Sequence, residues 1–341
     1  MPSVSRRRTT LFVSAVLAAA TGCQESLAPD DVRDSERPHP NATAPQFRPS
    51  RSLAFTYVSA SGVNSCAIRN DGTVSCRGQN LDGGGPLFRE AIAGRYVQSS
   101  SGEAYTCAVT NQGEVECWGW RGYPPFGGAA IRAQRGRFIA IAAGYKHWCA
   151  LRQDGVAECF GDPSFGAAPR TKAASEGSFV ALSSGRRHTC GLRSDGAVEC
   201  WGDNAEGQAP EIRHAATGVY TAIDAGLLHT CAIRTDGAAE CWGRNEYGAA
   251  PPLRVPGASR FVSASAGADH TCALREDGAA ECWGLSGYGQ APSLLVLSAP
   301  ITIVAAGDQH TCFLMQGGTI NCRGWAGAEP PEHWTAAYPP F

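Results

Sequence analysis

Seven pairs of cysteines with one shared spacing constrain the fold of this chain more than any other feature. Fourteen of the 15 cysteines form pairs ten residues apart, and the first members of successive pairs lie 40 to 42 residues apart. A fixed period of about 40–50 residues is typical of one blade of a β-propeller. The pairs are Cys66 and Cys76, Cys107 and Cys117, Cys149 and Cys159, Cys190 and Cys200, Cys231 and Cys241, Cys272 and Cys282, and Cys312 and Cys322.

Within one repeat, the residue pattern predicts three strands and a weaker fourth. The copy that begins at Phe261 opens with the alternating run FVSAS, and the segments HTCAL and AAECWG then flank Glu276-Asp277-Gly278. Because Asp and Gly tolerate positive φ, this tripeptide predicts a hairpin turn. A loop rich in Gly and Pro ends the copy. The sequence therefore predicts an all-β fold, a seven-bladed β-propeller with repeats of about 41 residues.

The cysteine spacing agrees with this hairpin. The midpoint between Cys231 and Cys241 is Asp236, which lies inside the predicted turn. Folding the chain there places the two cysteines opposite each other at a Cα separation of ~4.5–5.5 Å, a distance that a disulfide accepts. We therefore expect one disulfide within each blade. Regularly paired cysteines behind an export signal indicate an oxidising compartment outside the cytosol.

The N-terminus carries such an export signal. Three arginines precede an apolar run over residues 11–20, which is shorter than the ~20 residues that a membrane span needs. The run leads into Ala-Thr-Gly before Cys23, a sequence that resembles a bacterial lipobox. We expect Cys23, the cysteine without a partner, to be lipidated. The alternative is an ordinary signal peptide followed by a stray cysteine.

These signals divide the chain into three parts. We expect residues 1–22 to be a lipoprotein signal peptide, and residues 23–50, which are rich in Pro and mixed charges, to be a lipidated and disordered tether. Residues 51–341 are expected to form the propeller, with residues 53–59 or the tail 333–338 completing its last blade. The protein is predicted to be an exported monomer, anchored by lipid alone in the cell envelope on its periplasmic or cell-surface side.

Charge and motif content exclude several classes of function. The net charge is −2, with 29 basic and 31 acidic residues, whereas a nucleic-acid binder normally carries a basic excess. No G-x-S-x-G or H-E-x-x-H motif occurs. The cysteines are not spaced as C-x₂-C zinc ligands are. We therefore expect no cofactor, no metal and no nucleic-acid partner.

The copies share an ordered set of residues: a Gly, then His-Thr, Asp-Gly, Trp-Gly and a polar Gly-Gln loop. This order resembles the repeats of the regulator of chromosome condensation (RCC1-type) family, here in a bacterial exported lipoprotein. Departures include Asn64 at the His position and Arg77, Phe160 and Arg323 at the Trp position. In the fourth copy the set reads Gly185, His188-Thr189, Asp195-Gly196, Trp201-Gly202 and Gly207-Gln208.

The resemblance implies a seven-bladed propeller, but it implies no single function. Members of the family act in nucleotide exchange on a small GTPase, chromatin binding, light sensing, and inhibition of β-lactamase by a secreted bacterial member. Export argues against the nuclear and cytosolic roles. The leading hypothesis is a binding or scaffold module that contacts a protein or glycan through one propeller face. The alternatives are a propeller enzyme, a hydrolase or lyase with its site at the propeller axis, and a purely structural envelope lipoprotein.

The most regular polar residues are interpreted as architecture. Histidines two residues before the first cysteine are expected to be structural hydrogen-bonding residues, although a ring of imidazoles could in principle bind a metal. Glutamates before the second cysteine are interpreted as a solvated strand face rather than as paired catalytic carboxylates. The histidines are His147, His188, His229, His270 and His310, and the glutamates are Glu116, Glu158, Glu199, Glu240 and Glu281.

Candidate binding residues are sought where the repeat breaks. The loops after Trp-Gly carry different aromatic residues, and aromatic or Arg side chains on loops held by a rigid frame make good binding anchors. The alternative is that these rings pack between blades. The candidates are Trp120, Arg121, Tyr123, Phe126, Phe165, Tyr247, Tyr288 and Trp325.

Overall fold

A computed structural model gives the fold of the repeats as seven antiparallel sheets, one for each cysteine pair. The compact unit that contains them spans Leu53–Phe341. The predicted all-β propeller is confirmed, and we call its sheets blades 1 to 7 in chain order. The structure describes residues 53–62, 64–78, 89–119, 131–132 and 135–325.

The blades have three or four strands each, numbered β1 to β24 along the chain. Blades 1 to 4 contain β1 Phe55–Ser61, β2 Asn64–Arg69, β3 Val74–Gly78, β4 Tyr96–Ser101, β5 Tyr105–Thr110, β6 Glu114–Gly119, β7 Ile131–Arg132, β8 Phe138–Ala143, β9 His147–Arg152, β10 Ala157–Gly161, β11 Thr171–Lys172, β12 Phe179–Ser184, β13 His188–Arg193, β14 Val198–Gly202 and β15 Ile212–Arg213. Blades 5 to 7 contain β16 Tyr220–Ala225, β17 His229–Arg234, β18 Ala239–Gly243, β19 Phe261–Ala266, β20 His270–Arg275, β21 Ala280–Gly284, β22 Ile301–Ala306, β23 His310–Met315 and β24 Ile320–Gly324.

The predicted fourth strand is present but short. In blades 2, 3 and 4 it is two residues long. In blades 1, 5 and 6 a single bridge replaces it, such as Ala239 with Arg254. The one helical element described is a 3₁₀ turn over Ser164–Gly166, so no helix among the described residues is long and apolar enough to cross a membrane.

The Asp-Gly turns close hairpins between the second and third strands of a blade, as predicted. In blade 5, Gly237 has φ +83°, and its N–H donates to the carbonyl of Arg234 at 2.9 Å. Asp236 does not adopt positive φ, contrary to the reason given for its presence. Its carboxylate instead accepts the N–H of Ala238 at 3.0 Å, which completes the three-residue loop.

The expected disulfide in every blade is confirmed. Cys231 and Cys241 face each other across β17 and β18 with a Cα separation of 4.1 Å, and the other six pairs repeat this arrangement. Ile233 and Ala239 face each other beside the turn, and the two cysteines face each other two residues further along the strands. The turn therefore sets the strand register that brings the cysteines together. All fourteen paired cysteines are buried. Seven disulfides indicate that the protein folds in an oxidising compartment.

Removal of one disulfide tests how much these bonds contribute to the stability of the hairpins. We expect the Cys231→Ser/Cys241→Ser variant to lose roughly 3 kcal/mol of unfolding free energy. The chain-entropy model gives a loss of this size even for a short closed loop, because the effect grows only slowly with loop length. Urea unfolding followed by tryptophan fluorescence measures the loss. Mass spectrometry of the non-reduced wild-type protein should give only intra-blade pairs, and links between blades would contradict the assignment.

The hydrophobic core lies between neighbouring blades rather than inside any one of them. One cluster joins Ile233 and Ala239 of blade 5 to Phe261, Ala273 and Trp283 of blade 6. Seven such clusters, one at each junction, include one that joins blade 7 to blade 1. The described blades therefore stabilise one another as a closed ring.

The His, Thr and Trp of the repeat meet at one blade junction. His188 Nε2 lies 2.9 Å from Thr230 Oγ1 of the next blade. The Thr230 hydroxyl donates to the Gln208 carbonyl at 3.0 Å, and Trp242 Nε1 donates to the same oxygen at 3.1 Å. Because the threonine hydroxyl proton is used in this way, Thr230 Oγ1 must accept a hydrogen bond from His188 Nε2–H, which fixes the imidazole tautomer.

Equivalent histidine bonds link further blades and confirm that these residues are structural. Each histidine of blades 3 to 7 bonds to the following blade, and the last of these bonds joins blade 7 to blade 1. They pair His147 with Thr189 at 2.9 Å, His229 with Thr271 at 2.8 Å, His270 with Thr311 at 2.8 Å and His310 with Ser65 at 2.7 Å.

The ring closes at the junction between blade 7 and the inner strand of blade 1. Residues 55–61 form the inner strand of blade 1, so the alternative that residues 53–59 complete blade 7 is wrong. Backbone bonds across this junction join Phe55 N to the Gly318 carbonyl at 3.0 Å and Asp308 N to the Gly62 carbonyl at 3.1 Å. The tail 333–338 lies outside the described residues.

The repeated glutamates are buried, so their interpretation as a solvated strand face is wrong. Glu199 is 2% exposed and pairs with Arg193 at 3.1 Å, and it accepts the N–H of Ser175 at 2.8 Å. A carboxylate can be buried at tolerable cost when a guanidinium and backbone N–H groups satisfy it. The sequence signal that was overlooked is an arginine at the end of the second strand in blades 3 to 6, namely Arg152, Arg193, Arg234 and Arg275.

Candidate binding face

The antiparallel strands give the propeller two different faces. The start of each second strand pairs with the end of the third, as His147 pairs with Gly161 in blade 3. The loop that joins the first two strands and the loop that follows the third strand therefore lie on one side, which we call the loop face. The Asp-Gly turns lie on the opposite side, which we call the hairpin face.

All four candidate aromatics that the structure describes project from the loop face. The exposed fractions are 54% for Phe165, 46% for Tyr247, 56% for Tyr288 and 46% for Trp325. Tyr288 and Trp325 are neighbours on blades 6 and 7, with ring centroids 6.3 Å apart. The rings are therefore about half exposed instead of packed in the core between blades. The other candidates, Trp120, Arg121, Tyr123 and Phe126, lie outside the described residues.

Three of these aromatics share one repeat position, which the sequence interpretation did not recognise. Phe165, Tyr247 and Tyr288 each precede a loop glycine of positive φ, and Glu206 occupies the same place in blade 4. An aromatic residue here is thus a recurring property of the loop rather than a break in the repeat. The glycines are Gly166 at +74°, Gly207 at +79°, Gly248 at +77° and Gly289 at +76°.

Phe165 differs from its counterparts in backbone conformation. Its φ is +63°, and it is the sole non-glycine residue with positive φ in the described part of the chain. Such a conformation costs on the order of 1–2 kcal/mol for an L-residue. The ring lies under the guanidinium of Arg187, whose Cζ is 4.3 Å from the ring centroid.

A central channel opens at the middle of the loop face. It has a volume of about 430 Å³ and runs between the seven inner strands. Asp224, a charged residue deep in its wall, accepts hydrogen bonds from Ser183 Oγ and Ala266 N, both at 2.7 Å. Burial raises the pKa of this carboxyl. Asp224 therefore joins three adjacent inner strands, and Ser183 adds a second bond between two of them when it accepts the N–H of Ala225 at 2.9 Å.

The loops at the channel mouth differ most from blade to blade. Between the repeat Gly and His positions, blades 3 to 7 carry Tyr-Lys, Arg-Arg, Leu-Leu, Ala-Asp and Asp-Gln. Tyr145 donates its hydroxyl to Glu103, which raises the pKa of Tyr145. Burial, together with the charge of Glu103, raises the pKa of Asp308.

Among the charged residues of these loops, the channel lining includes the cation Arg186 of blade 4 and the acids Glu103 of blade 2 and Asp308 of blade 7. The sequence reasoning missed these residues, although the variable dipeptide before an otherwise constant histidine could have revealed them. Within the described residues, no group of three or more His, Cys, Asp or Glu side chains is arranged to hold a metal ion.

Comparison with known proteins agrees with this geometry. The regulator of chromosome condensation (RCC1) repeat matches residues 179–208, 220–249, 261–290 and 301–327, which are the main parts of blades 4 to 7. Blades 4 to 7 are RCC1-type repeats. A search of curated proteins finds no match.

Solved structures share this propeller fold at low sequence identity. The CRINKLY WD40 ectodomain of the Arabidopsis thaliana receptor kinase ACR4 is 22% identical with a TM-score of 0.63, and 82% of this chain aligns with 99% of it. The entire ectodomain of the Physcomitrella patens receptor kinase CR4 is 25% identical with a TM-score of 0.60, over 80% and 74% of the two chains. Prp20p of Saccharomyces cerevisiae is 18% identical with a TM-score of 0.63, over 79% and 82%.

Proposed function

We propose that this RCC1-type propeller is an exported, lipid-anchored module that binds a protein partner through its loop face. The observation that carries the proposal is the set of about half-exposed aromatics, Phe165, Tyr247, Tyr288 and Trp325, on that one face. Aromatic anchors contribute much of the energy of protein interfaces. The disulfide in each blade holds the loops that carry them, so binding would order few additional groups.

The structural neighbours support a protein partner. The Prp20p structure is described together with its binding to Gsp1p and histones. The ACR4 and CR4 propellers are ectodomains of receptor kinases, and their position outside the cell supports an extracytoplasmic setting for a disulfide-rich propeller. A glycan partner is the competing outcome, because aromatic side chains can also stack on sugar rings.

The lipid anchor makes a separate prediction. We expect the Cys23→Ser variant to move from the membrane fraction to the soluble fraction, because its thiol would no longer be available for acylation. Fractionation of cells that express either form, followed by immunoblotting, measures this shift. Cys231→Ser/Cys241→Ser is the control, since it also replaces cysteines but leaves Cys23 intact and should remain membrane-bound. Membrane retention of Cys23→Ser would contradict the anchor.

Partner capture tests the loop face. The Cys23→Ser chain, used as bait on a native envelope extract, is expected to retain a protein that Tyr247→Ala/Tyr288→Ala retains at least ten-fold less, since each substitution removes an exposed ring from adjacent blades. Val255→Ala/Val296→Ala is the matched control, because these side chains of the same two blades are 67% and 71% exposed but follow the edge bridges instead of the loops. Equal capture by both double variants would contradict a loop-face interface, and capture abolished by glycosidase treatment would indicate a glycan.

A further inference from the structure

A second, smaller cavity lies on the loop face at the junction of blades 3 and 4. We call it the blade 3/4 pocket; its volume is about 80 Å³, and its lining includes Tyr145, Lys146, Asp162, Phe165, Arg186 and Arg187. Tyr145 and Arg186 also line the mouth of the central channel, so the pocket opens beside it. Three cationic side chains and one carboxylate give this lining a formal charge of +2.

The two arginines of the pocket differ from most others in the propeller. Arg152, Arg193, Arg234 and Arg275 each pair with a buried glutamate of their own blade. Within the described part of the chain, neither Arg186 nor Arg187 has a carboxylate oxygen within ion-pair distance. In addition, the buried Nε of Arg186 has no hydrogen-bond partner among the described residues. Arg186 shares a side-chain hydrogen bond with Tyr145, but neither guanidinium of the pocket is neutralised by a carboxylate among the described residues.

Aromatic rings hold both guanidiniums in place. The Arg186 Cζ lies 5.2 Å from the centroid of Tyr145, and the Arg187 Cζ lies 4.3 Å from that of Phe165. Contact with a ring face leaves the N–H edges of a guanidinium available, which are the groups that bind a carboxylate in a bidentate manner. The strained backbone of Phe165, with φ +63°, places its ring at this contact, and strain of this kind is concentrated at functional sites.

The carboxylate in the lining does not occupy the arginines. Asp162 accepts the N–H of Ser164 at 2.9 Å, and hydrogen bonds from the Ser164 hydroxyl and backbone, together with the charge of Lys146, lower its pKa. Asp162 therefore stays ionised and is satisfied on the blade 3 side, near Lys146. Arg186 and Arg187, on blade 4, are left facing the cavity.

We propose that the blade 3/4 pocket binds a side-chain carboxylate from an acidic segment of the partner protein. The assignment of this carboxylate to a protein rests on the proposed function. The pocket would supply a charged subsite beside the aromatic anchors, with Arg186 and Arg187 donating to the carboxylate oxygens. Charge pairs at the edge of an apolar interface act mainly on specificity and on the association rate.

A labelled peptide of six glutamates tests the pocket directly. Its binding to the full Cys23→Ser chain, followed by fluorescence anisotropy, is expected to weaken at least ten-fold in Arg186→Gln/Arg187→Gln. Arg95→Gln/Arg260→Gln is the matched control: it removes the same charge from residues that precede the inner strands β4 and β19 near the hairpin face, and it should bind within about two-fold of wild type. Thermal unfolding of all three proteins checks that they are folded.

Two results would overturn the inference. One is the absence of wild-type binding to hexaglutamate when a hexaglutamine peptide is used as reference. The other is an equal loss of binding in both double variants, which would indicate attraction by net charge alone. The assay contains no native partner, so these results leave the loop-face function standing. Failure to capture any partner, with hexaglutamate binding intact, would instead contradict the proposed function and leave the pocket as an anion site.

Discussion

Replacement of Gly185 by alanine is expected to lower the unfolding free energy by about 3 kcal/mol or more, an overpacking cost at the upper end of the usual range. A Cβ at this position would lie 2.2 Å from the Gly226 carbonyl oxygen of the next blade and 2.3 Å from the His188 ring. Neither neighbour can move freely, because His188 is bonded to Thr230 and Gly226 stands in the next inner loop. The expected loss is therefore steric, and it acts on the junction between blades.

Gly287→Ala is the matched control for this variant. Gly287 also lies in a loop, but a Cβ there would have no atom within 4 Å, and its φ is not in the left-handed region. We expect its unfolding free energy to stay within about 0.5 kcal/mol of wild type. Urea unfolding followed by tryptophan fluorescence compares the two variants. Wild-type stability in Gly185→Ala would show that the inner loops are not closely packed.

The sequence could predict the blade but not the contacts between blades. The segment from Cys231 to Cys241, centred on Asp236, determines the hairpin and its disulfide, because local geometry alone decides which residues face each other. The role of Gly185 depends on Gly226, 41 positions away, and nothing local indicates that contact. The partner of Glu199, in contrast, is local: Arg193 lies six residues before it in the same hairpin, and this sequence signal was overlooked.

At the candidate site, too, the sequence could predict local features but not contacts between distant residues. Loop aromatics such as Tyr247 and Tyr288 could be found from composition, because exposed rings on loops are a property of single residues. Their common position before a positive-φ glycine was hidden by the change to Glu206 in blade 4. The variable dipeptide before the histidine marks the position of Arg186 and Arg187, but the lack of a carboxylate partner for either side chain could be known only from the fold.

Acidification is expected to destabilise the propeller steeply below about pH 6. Burial lowers the pKa of every histidine that links two blades, so these imidazoles are neutral in the folded protein. In the unfolded chain the pKa of histidine is about 6.5. Between pH 6.5 and about 4 the unfolded state therefore binds protons that the folded state does not, and stability present above pH 6.5 is lost as the pH falls. The pKa is about 4 for His147, His229 and His310 and about 3 for His188 and His270.

The effects of the five histidines should add. Once the pH is well below 6.5, each histidine lowers the free energy of unfolding by about 1.4 kcal/mol for every pH unit of further acidification. Their combined slope of up to roughly 7 kcal/mol per unit is comparable with the whole stability of a typical domain. Burial raises the pKa of Asp224, Asp269 and Asp308, so these groups take up protons at higher pH in the folded state than in the unfolded chain and offset part of the loss.

Urea unfolding at intervals from pH 8 to pH 4.5 measures this slope, and one substitution isolates a single histidine. His229→Asn should be less stable than wild type at pH 7.5, but its pH slope should be smaller by one proton. Asparagine is the appropriate replacement because Asn64 occupies this position in blade 1. A midpoint that is constant from pH 7 to pH 5, or an unchanged slope in His229→Asn, would show that the imidazoles between the blades can take up protons without opening the ring.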